Sequence, residues 1–168
     1  MNRILSSVAL AFICLFPVYG QMAWNAKYQN YFNQYKDLAI EQMLKYRIPA
    51  SITLAQGVFE SGAGYSDLAR NGNNHFGIKC HGWQGRKTYH DDDARNECFR
   101  AYDSPGQSYE DHSKFLVQSQ RYRRLFSLKI TDYKGWAHGL KACGYATNPA
   151  YAKKLIDIIE LYKLYKYD

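Results

Sequence analysis

The 168 residues carry 22 Lys and Arg against 15 Asp and Glu, a formal charge of +7, and 46% are hydrophobic. That length fits one domain, and the absence of repeats, linkers and low-complexity stretches excludes arrays and tethered modules. The basic surface selects anionic partners, but "QRYRRLF" (120–126) is the sole local Arg cluster, so a nucleic-acid binder, which needs a dense cationic stripe, is disfavoured.

The chain opens with "MNRILSSVALAFICLFPVYG": one cation at Arg3, an apolar run from Ile4 to Phe16 and a small-residue exit at Gly20. This is the form of a secretory signal peptide over residues 1–20, with cleavage after Gly20 and a mature domain over 21–168. The run is short for a transmembrane anchor, which needs about 20 apolar residues. Bulky residues just before Cys14 fit a lipid-modified cysteine poorly. Loss of Arg3 moves the formal charge from +7 to +6, and the expected compartment is extracellular or periplasmic, without stable membrane insertion. There a cell-wall polymer is a better anionic partner than nucleic acid.

A first helix is expected from Trp24 to Tyr46, with Leu38, Ile40, Met43 and Leu44 facing inward. Pro49 suits the first turn of a second helix. Ile52, Ala55 and Phe59 recur there at helical spacing, so one face is buried, and Gly62 and Gly64 stop it. A short helical turn and a polar loop follow in "DLARNGNNHFGIKC". The stretch from Lys79 to Ser104 changes character, and its glycines, aromatics and loose alternation predict two or three short strands. Ser104 caps the next helix with Pro105 as its first residue, Thr131 caps another that ends at Gly144, and Asn148-Pro149 starts the last. In that last helix Leu155, Ile158, Ile159 and Tyr162 form the inward stripe. The sum is α+β, mainly α: a helical body with a small β-hairpin lobe and a ligand-sized cleft between them.

Export also bears on the cysteines. Cys80 and Cys98 flank the hairpin and are the natural disulfide pair in an oxidising compartment, leaving Cys143 as a buried thiol. A zinc site from Cys80, His81, His90 and Cys98 fits no standard ligand spacing, so no metal or cofactor is expected.

In "LAQGVFESGAGYS" (54–66) an apolar helix ends on one acid, Glu60. Apolar neighbours and the negative end of the helix dipole both raise a carboxyl's pKa, and a neutral carboxyl facing a cleft can protonate a glycosidic oxygen. A plain surface glutamate is the competing reading. A second carboxylate would steady positive charge or activate water, and "HDDD" (90–93) offers Asp91 and then Asp92. A solvated turn or a weak calcium site competes for those acids. Asp67 and Glu97 rank lower. Trp83 and Tyr89 are candidates for stacking on sugar faces, and Trp136 for the core. His75, His81 and His90 read as loop residues, His112 and His138 as helix-packing residues.

Three stretches, "LAQGVFESGAGYSDLA", "NNHFGIKC" and "KACGYATNPAYAKKLI", together resemble the peptidoglycan-hydrolysing glucosaminidases of glycoside hydrolase family 73. They occur in the family's order and spacing, over roughly residues 30 to 165. The first motif alone is shared in part with lytic transglycosylases, and the second and third make the likeness specific. The resemblance implies a lysozyme-like fold and Glu60 as general acid. Asn74, Phe76 and Gly77 then belong to the cleft-lining loop, and Tyr145 lies near the acid. It places the second carboxylate on the β-lobe, at Asp91 or else Asp92, although "KTYHDDD" departs from the family's "T-x-E-Y" pattern. The function expected is a secreted, monomeric endo-β-N-acetylglucosaminidase that cuts the β-1,4 bond between N-acetylglucosamine and N-acetylmuramic acid in peptidoglycan. A lytic transglycosylase, a muramidase and a non-catalytic wall-binding module are the alternatives.

Overall fold

The computed structural model describes residues 22–92 and 95–168. The expected leader and Asp93 lie outside the described residues, among which no helix is long and apolar enough to cross a membrane. In chain order the elements are α1 (Ala26–Tyr46), α2 (Ala50–Glu60), α3 (Asp67–Gly72), β1 (Lys87–His90), β2 (Glu97–Arg100), α4 (Pro105–Gln118), α5 (Tyr133–Ala142) and α6 (Tyr151–Leu161). Two 3₁₀ segments, Gln120–Ser127 and Leu164–Tyr167, follow α4 and α6.

The body is built around α2. Ala50 through Val58 are all buried, so this helix is covered on every side rather than on the one face that its spacing predicts. It packs against α1, α5, α6 and the 3₁₀ segment Leu164–Tyr167. Its start is also not as expected: Pro49 is the residue before the first turn and carries no capping group. Asp168 supplies it from the far end of the chain, accepting hydrogen bonds from Ser51 N (2.8 Å) and Ser51 Oγ (2.6 Å).

Elsewhere the local rules hold with small shifts. Ser104 caps α4 and Pro105 opens it, as read from the sequence. Asp132 rather than Thr131 caps α5, because its carboxylate reaches Gly135 N at 2.9 Å. Asn148 precedes α6 and accepts from Ala150 N at 2.9 Å, and the helix begins at Tyr151. Leu155, Ile158, Ile159 and Tyr162 are buried, and so is Trp136. Leu44 is the clear miss in α1: it is 77% exposed, because Gln42 and Met43 take the inward positions of that turn. His138 is exposed rather than packed, and Cys143 is a free thiol packed against the core but only half-buried.

The lobe is a single antiparallel hairpin in which Lys87 faces Arg100 and His90 faces Glu97. Phe99 is its buried residue. A disulfide joins Cys80 to Cys98, as expected, and Cys80 N donates to Cys98 O at 3.0 Å. The lobe is tied to the body by Arg100, whose guanidinium grips both oxygens of Asp111 on α4 at 3.0 and 2.8 Å. Tyr102 donates its hydroxyl to the same carboxylate at 2.6 Å. These ties fix the gap between lobe and body.

Candidate active site

That gap is a cleft of about 580 Å³, and Glu60, the last residue of α2, opens onto it. The body contributes Phe76, Phe115, Tyr122 and Tyr145 to its lining, and the lobe contributes His90, Asp91, Asp92 and Phe99. Glu60 is half-buried. Its Oε1 accepts a hydrogen bond from the Tyr151 hydroxyl at 3.1 Å. The Tyr151 oxygen in turn accepts from Gln56 Nε2 at 3.0 Å. Gln56 lies one helical turn before Glu60, so α2 places both groups on one face. Tyr145 lies nearly parallel to Tyr151, with ring centroids 5.7 Å apart, and Phe59 meets Tyr151 edge-on at 5.9 Å.

This surround sets the protonation of Glu60. Burial pushes its carboxyl up from the usual 4.5 to about 7, against the opposing pull of the Tyr151 hydrogen bond. The Tyr145 and Tyr151 phenols are pushed well above their ordinary value, first by burial and further by the nearby Glu60 charge. Both therefore stay neutral. Tyr151 occupies Oε1 as a donor, which leaves the other carboxyl oxygen to carry a proton. The arrangement is a carboxyl facing a groove that keeps its proton to far higher pH than an ordinary glutamate and can give it to a bound oxygen.

A second network steadies the helix from behind. The Tyr109 hydroxyl donates to Tyr31 at 2.9 Å, and Tyr31 meets His75 Nδ1 at 2.9 Å. Burial holds His75 down at about 4, so it is neutral. A Cβ at Gly57 would lie 2.5 Å from the Tyr31 oxygen, which is why a glycine sits one turn before the acid. His75 is thus a loop residue, as read from sequence, but a buried one that packs behind α2.

The other expected site residues divide. Asp91, Asp92, Phe76, Gly77 and Tyr145 share the cleft with Glu60. Phe76 stacks on His112 at 3.9 Å, and Gly77 has φ +62°, a backbone state that favours glycine. Asp91 accepts from Asn96 N at 2.7 Å, and Asp92 lies 3.6 Å from Lys79 Nζ. Both are exposed.

Three assignments need correction. Asn74 is buried and is not among the residues that line the cleft. Its amide donates to Ile78 O (3.0 Å) and Arg100 O (2.9 Å), clamping the loop to the lobe. Trp83 does not line the cleft, because its indole donates to Arg86 O at 2.9 Å and its face carries the Arg100 guanidinium at 5.0 Å. Tyr89 alternates with the half-buried Thr88 and His90 and so projects from the opposite face of β1, 54% exposed. Sequence reasoning passed over Tyr151, Gln56 and Arg121. The first two were legible, Tyr151 from its place in "GYATNPAYA" and Gln56 from its i, i+4 spacing with Glu60. Among the described residues no group of three or more His, Cys, Asp or Glu side chains is gathered to hold a metal.

Comparison with known proteins bears on the same elements. The exo-glucosaminidase LytG of Bacillus subtilis is 35% identical over 136 residues, covering 74% of this chain and 48% of that protein. The chain thus spans about half the length of this relative. The catalytic domain of the Listeria monocytogenes autolysin Auto superposes with a TM-score of 0.72 at 28% identity, covering 89% of this chain and 92% of that one. The glycoside hydrolase domain of Salmonella typhimurium FlgJ gives 0.68 at 27% identity, covering 81% and 88%. These likenesses bear out the lysozyme-like arrangement of helical body and small lobe. The glucosaminidase family, described as mannosyl-glycoprotein endo-beta-N-acetylglucosaminidase, matches residues 36–164. That match runs from the middle of α1 to the segment after α6 and takes in every wall of the cleft, so the chain belongs to the glucosaminidase family, glycoside hydrolase family 73.

Proposed function

We propose that the protein is an exported peptidoglycan hydrolase, a glycoside hydrolase that cuts the β-1,4 bond between N-acetylglucosamine and N-acetylmuramic acid with Glu60 as general acid. The observation that carries this is the placement of Glu60 at the end of buried helix α2, on the cleft wall and against the Tyr151 hydroxyl, where burial pushes its carboxyl up to about 7. The names of its relatives, an exo-glucosaminidase and an autolysin among them, support the substrate class. Glu60 gives its proton to the glycosidic oxygen as the bond from that oxygen to C1 breaks, and the leaving sugar departs as a neutral alcohol. Positive charge then develops at C1 and the ring oxygen. Asp91 or Asp92 steadies it or activates water from the lobe wall, or the substrate's own 2-acetamido group attacks C1. Water completes the cleavage, leaving a reducing N-acetylglucosamine end.

The test is digestion of purified sacculi, borohydride reduction and mass spectrometry of the fragments. Reduced N-acetylglucosamine ends from the wild type, and none from Glu60→Gln, are the expected result. Reduced N-acetylmuramic ends would mean a muramidase, and anhydro ends a lytic transglycosylase. Pull-down on sacculi without any cleavage would mean a wall-binding module.

A further inference from the structure

The cleft is electrically lopsided. Asp67, Asp91 and Asp92 line it from α3 and the hairpin. Lys79 also lines it, but it lies 2.9 Å from Glu97 and 3.6 Å from Asp92, so its charge is offset locally. On the body side the cation is Arg121, at the start of the 3₁₀ segment. Among the described residues no carboxylate lies within ion-pair distance of it. Its guanidinium rests instead on aromatic faces, 4.7 Å from the Tyr122 ring centroid and 5.7 Å from that of Phe115. Tyr122 is fully buried, and its ring lies 6.1 Å from that of Tyr145, beside the acid. Arg121 is exposed, and a guanidinium has five N–H donors, more than a neighbouring aromatic ring or hydroxyl can take up, so donors remain for an oxyanion.

A glycan strand of this class has neutral sugar rings. Its carboxylates belong to the muramyl substituent, either the lactyl group itself or the peptide attached to it. We propose that Arg121 binds a carboxylate of the muramyl substituent and so fixes which sugar of the strand lies against Glu60. The acidic wall repels that substituent and the Arg121 wall attracts it, so the strand enters in one orientation. This rests on the glycan-cutting reading and adds a specificity determinant to it.

The test uses three forms of the same strands: peptide-bearing, peptide-stripped with free lactyl carboxylates, and peptide-bearing with all carboxylates converted to amides. The readout is kcat/KM on each charged form divided by that on the amidated form. Wild type should prefer at least one charged form, and Arg121→Gln should cut that ratio roughly tenfold, the worth of one charge-assisted hydrogen bond at a solvent-open site. Arg121→Lys keeps a charge and should recover part of it. Loss on the peptide-bearing form alone identifies a peptide carboxylate, loss on the stripped form alone identifies the free lactyl carboxylate, and loss on both means that Arg121 takes either one. An unchanged ratio, or an equal fall on all three forms, overturns the assignment while leaving the hydrolase reading intact. A wild type inert on all three overturns both.

Discussion

Glu60 and the pair Asp91–Asp92 face one cleft from opposite kinds of surroundings. Glu60 ends a helix buried on all sides and sits beside Tyr145, Tyr151 and Phe59, and burial lifts its pKa to about 7. Asp91 and Asp92 stand exposed on a two-stranded lobe, one capping Asn96 N and the other beside Lys79. A proton donor needs the first environment and a group that must stay ionised needs the second. The body therefore sets protonation, and the lobe supplies anions and shape. Each can be perturbed separately.

The largest effect is expected from Glu60→Gln, which should lower kcat by about a thousandfold, within the range of general acid catalysis. Stability should fall with rising pH in the same sense as activity. The folded chain holds the Glu60 proton more tightly than the unfolded chain does. Its contribution to stability is therefore complete below pH 4.5 and is lost as pH rises through about 7. Glu60→Gln escapes that loss. Thermal melts should agree at pH 4 and show the variant more stable at pH 8, by about 1–2 kcal/mol once solvent reaching through the cleft is allowed for. Equal melts at pH 8 would show that the acid is not held neutral by the fold.

Next comes the lobe. Replacing Cys80 and Cys98 by Ser removes a link between residues 18 apart in sequence, for about 3 kcal/mol of stability. Activity should fall as the hairpin wall loosens, while helical circular dichroism at 20 °C and the alkaline pKa of the residual activity stay in place. A shifted pKa would mean that the lobe, too, governs Glu60.

The fold was legible wherever local chemistry decides it. Ser104-Pro105 opens α4, the stripe of α6 is buried, and the cysteines flanking the hairpin are bonded. Contacts distant in sequence were not legible. Asp168 caps α2 across 117 positions, and Tyr151 reaches Glu60 across 91. Alternation in a four-residue strand likewise left Tyr89 free to point either way until pairing fixed it. Glu60 was recognisable by motif and by its place at a helix end. The second motif, "NNHFGIKC", carried Asn74 as a cleft residue, whereas its amide clamps backbone.

The two aspartates sharpen the comparison at smaller scale. Asp91→Asn and Asp92→Asn should part company, with one lowering kcat by about tenfold or more and the other close to wild type. Asn at 91 still offers an oxygen to Asn96 N, so a loss there reads on charge rather than on the turn. Equal mild effects would remove both from the chemistry and favour participation of the substrate's acetamido group.

Smallest in rate but most diagnostic is Tyr151→Phe. The ring keeps its place between Phe59 and Tyr145, and only the hydrogen bond to Glu60 is lost. That bond lowers the Glu60 pKa against the effect of burial. Without it the acid should hold its proton to higher pH, and the alkaline limb of the kcat profile should move upward. Gln56 loses its acceptor in the same step, so a modest fall in melting temperature is expected alongside. A tyrosine that merely fills space would give the melting change with the pH limb unmoved, and a limb moving down would reverse the sign assigned to this contact.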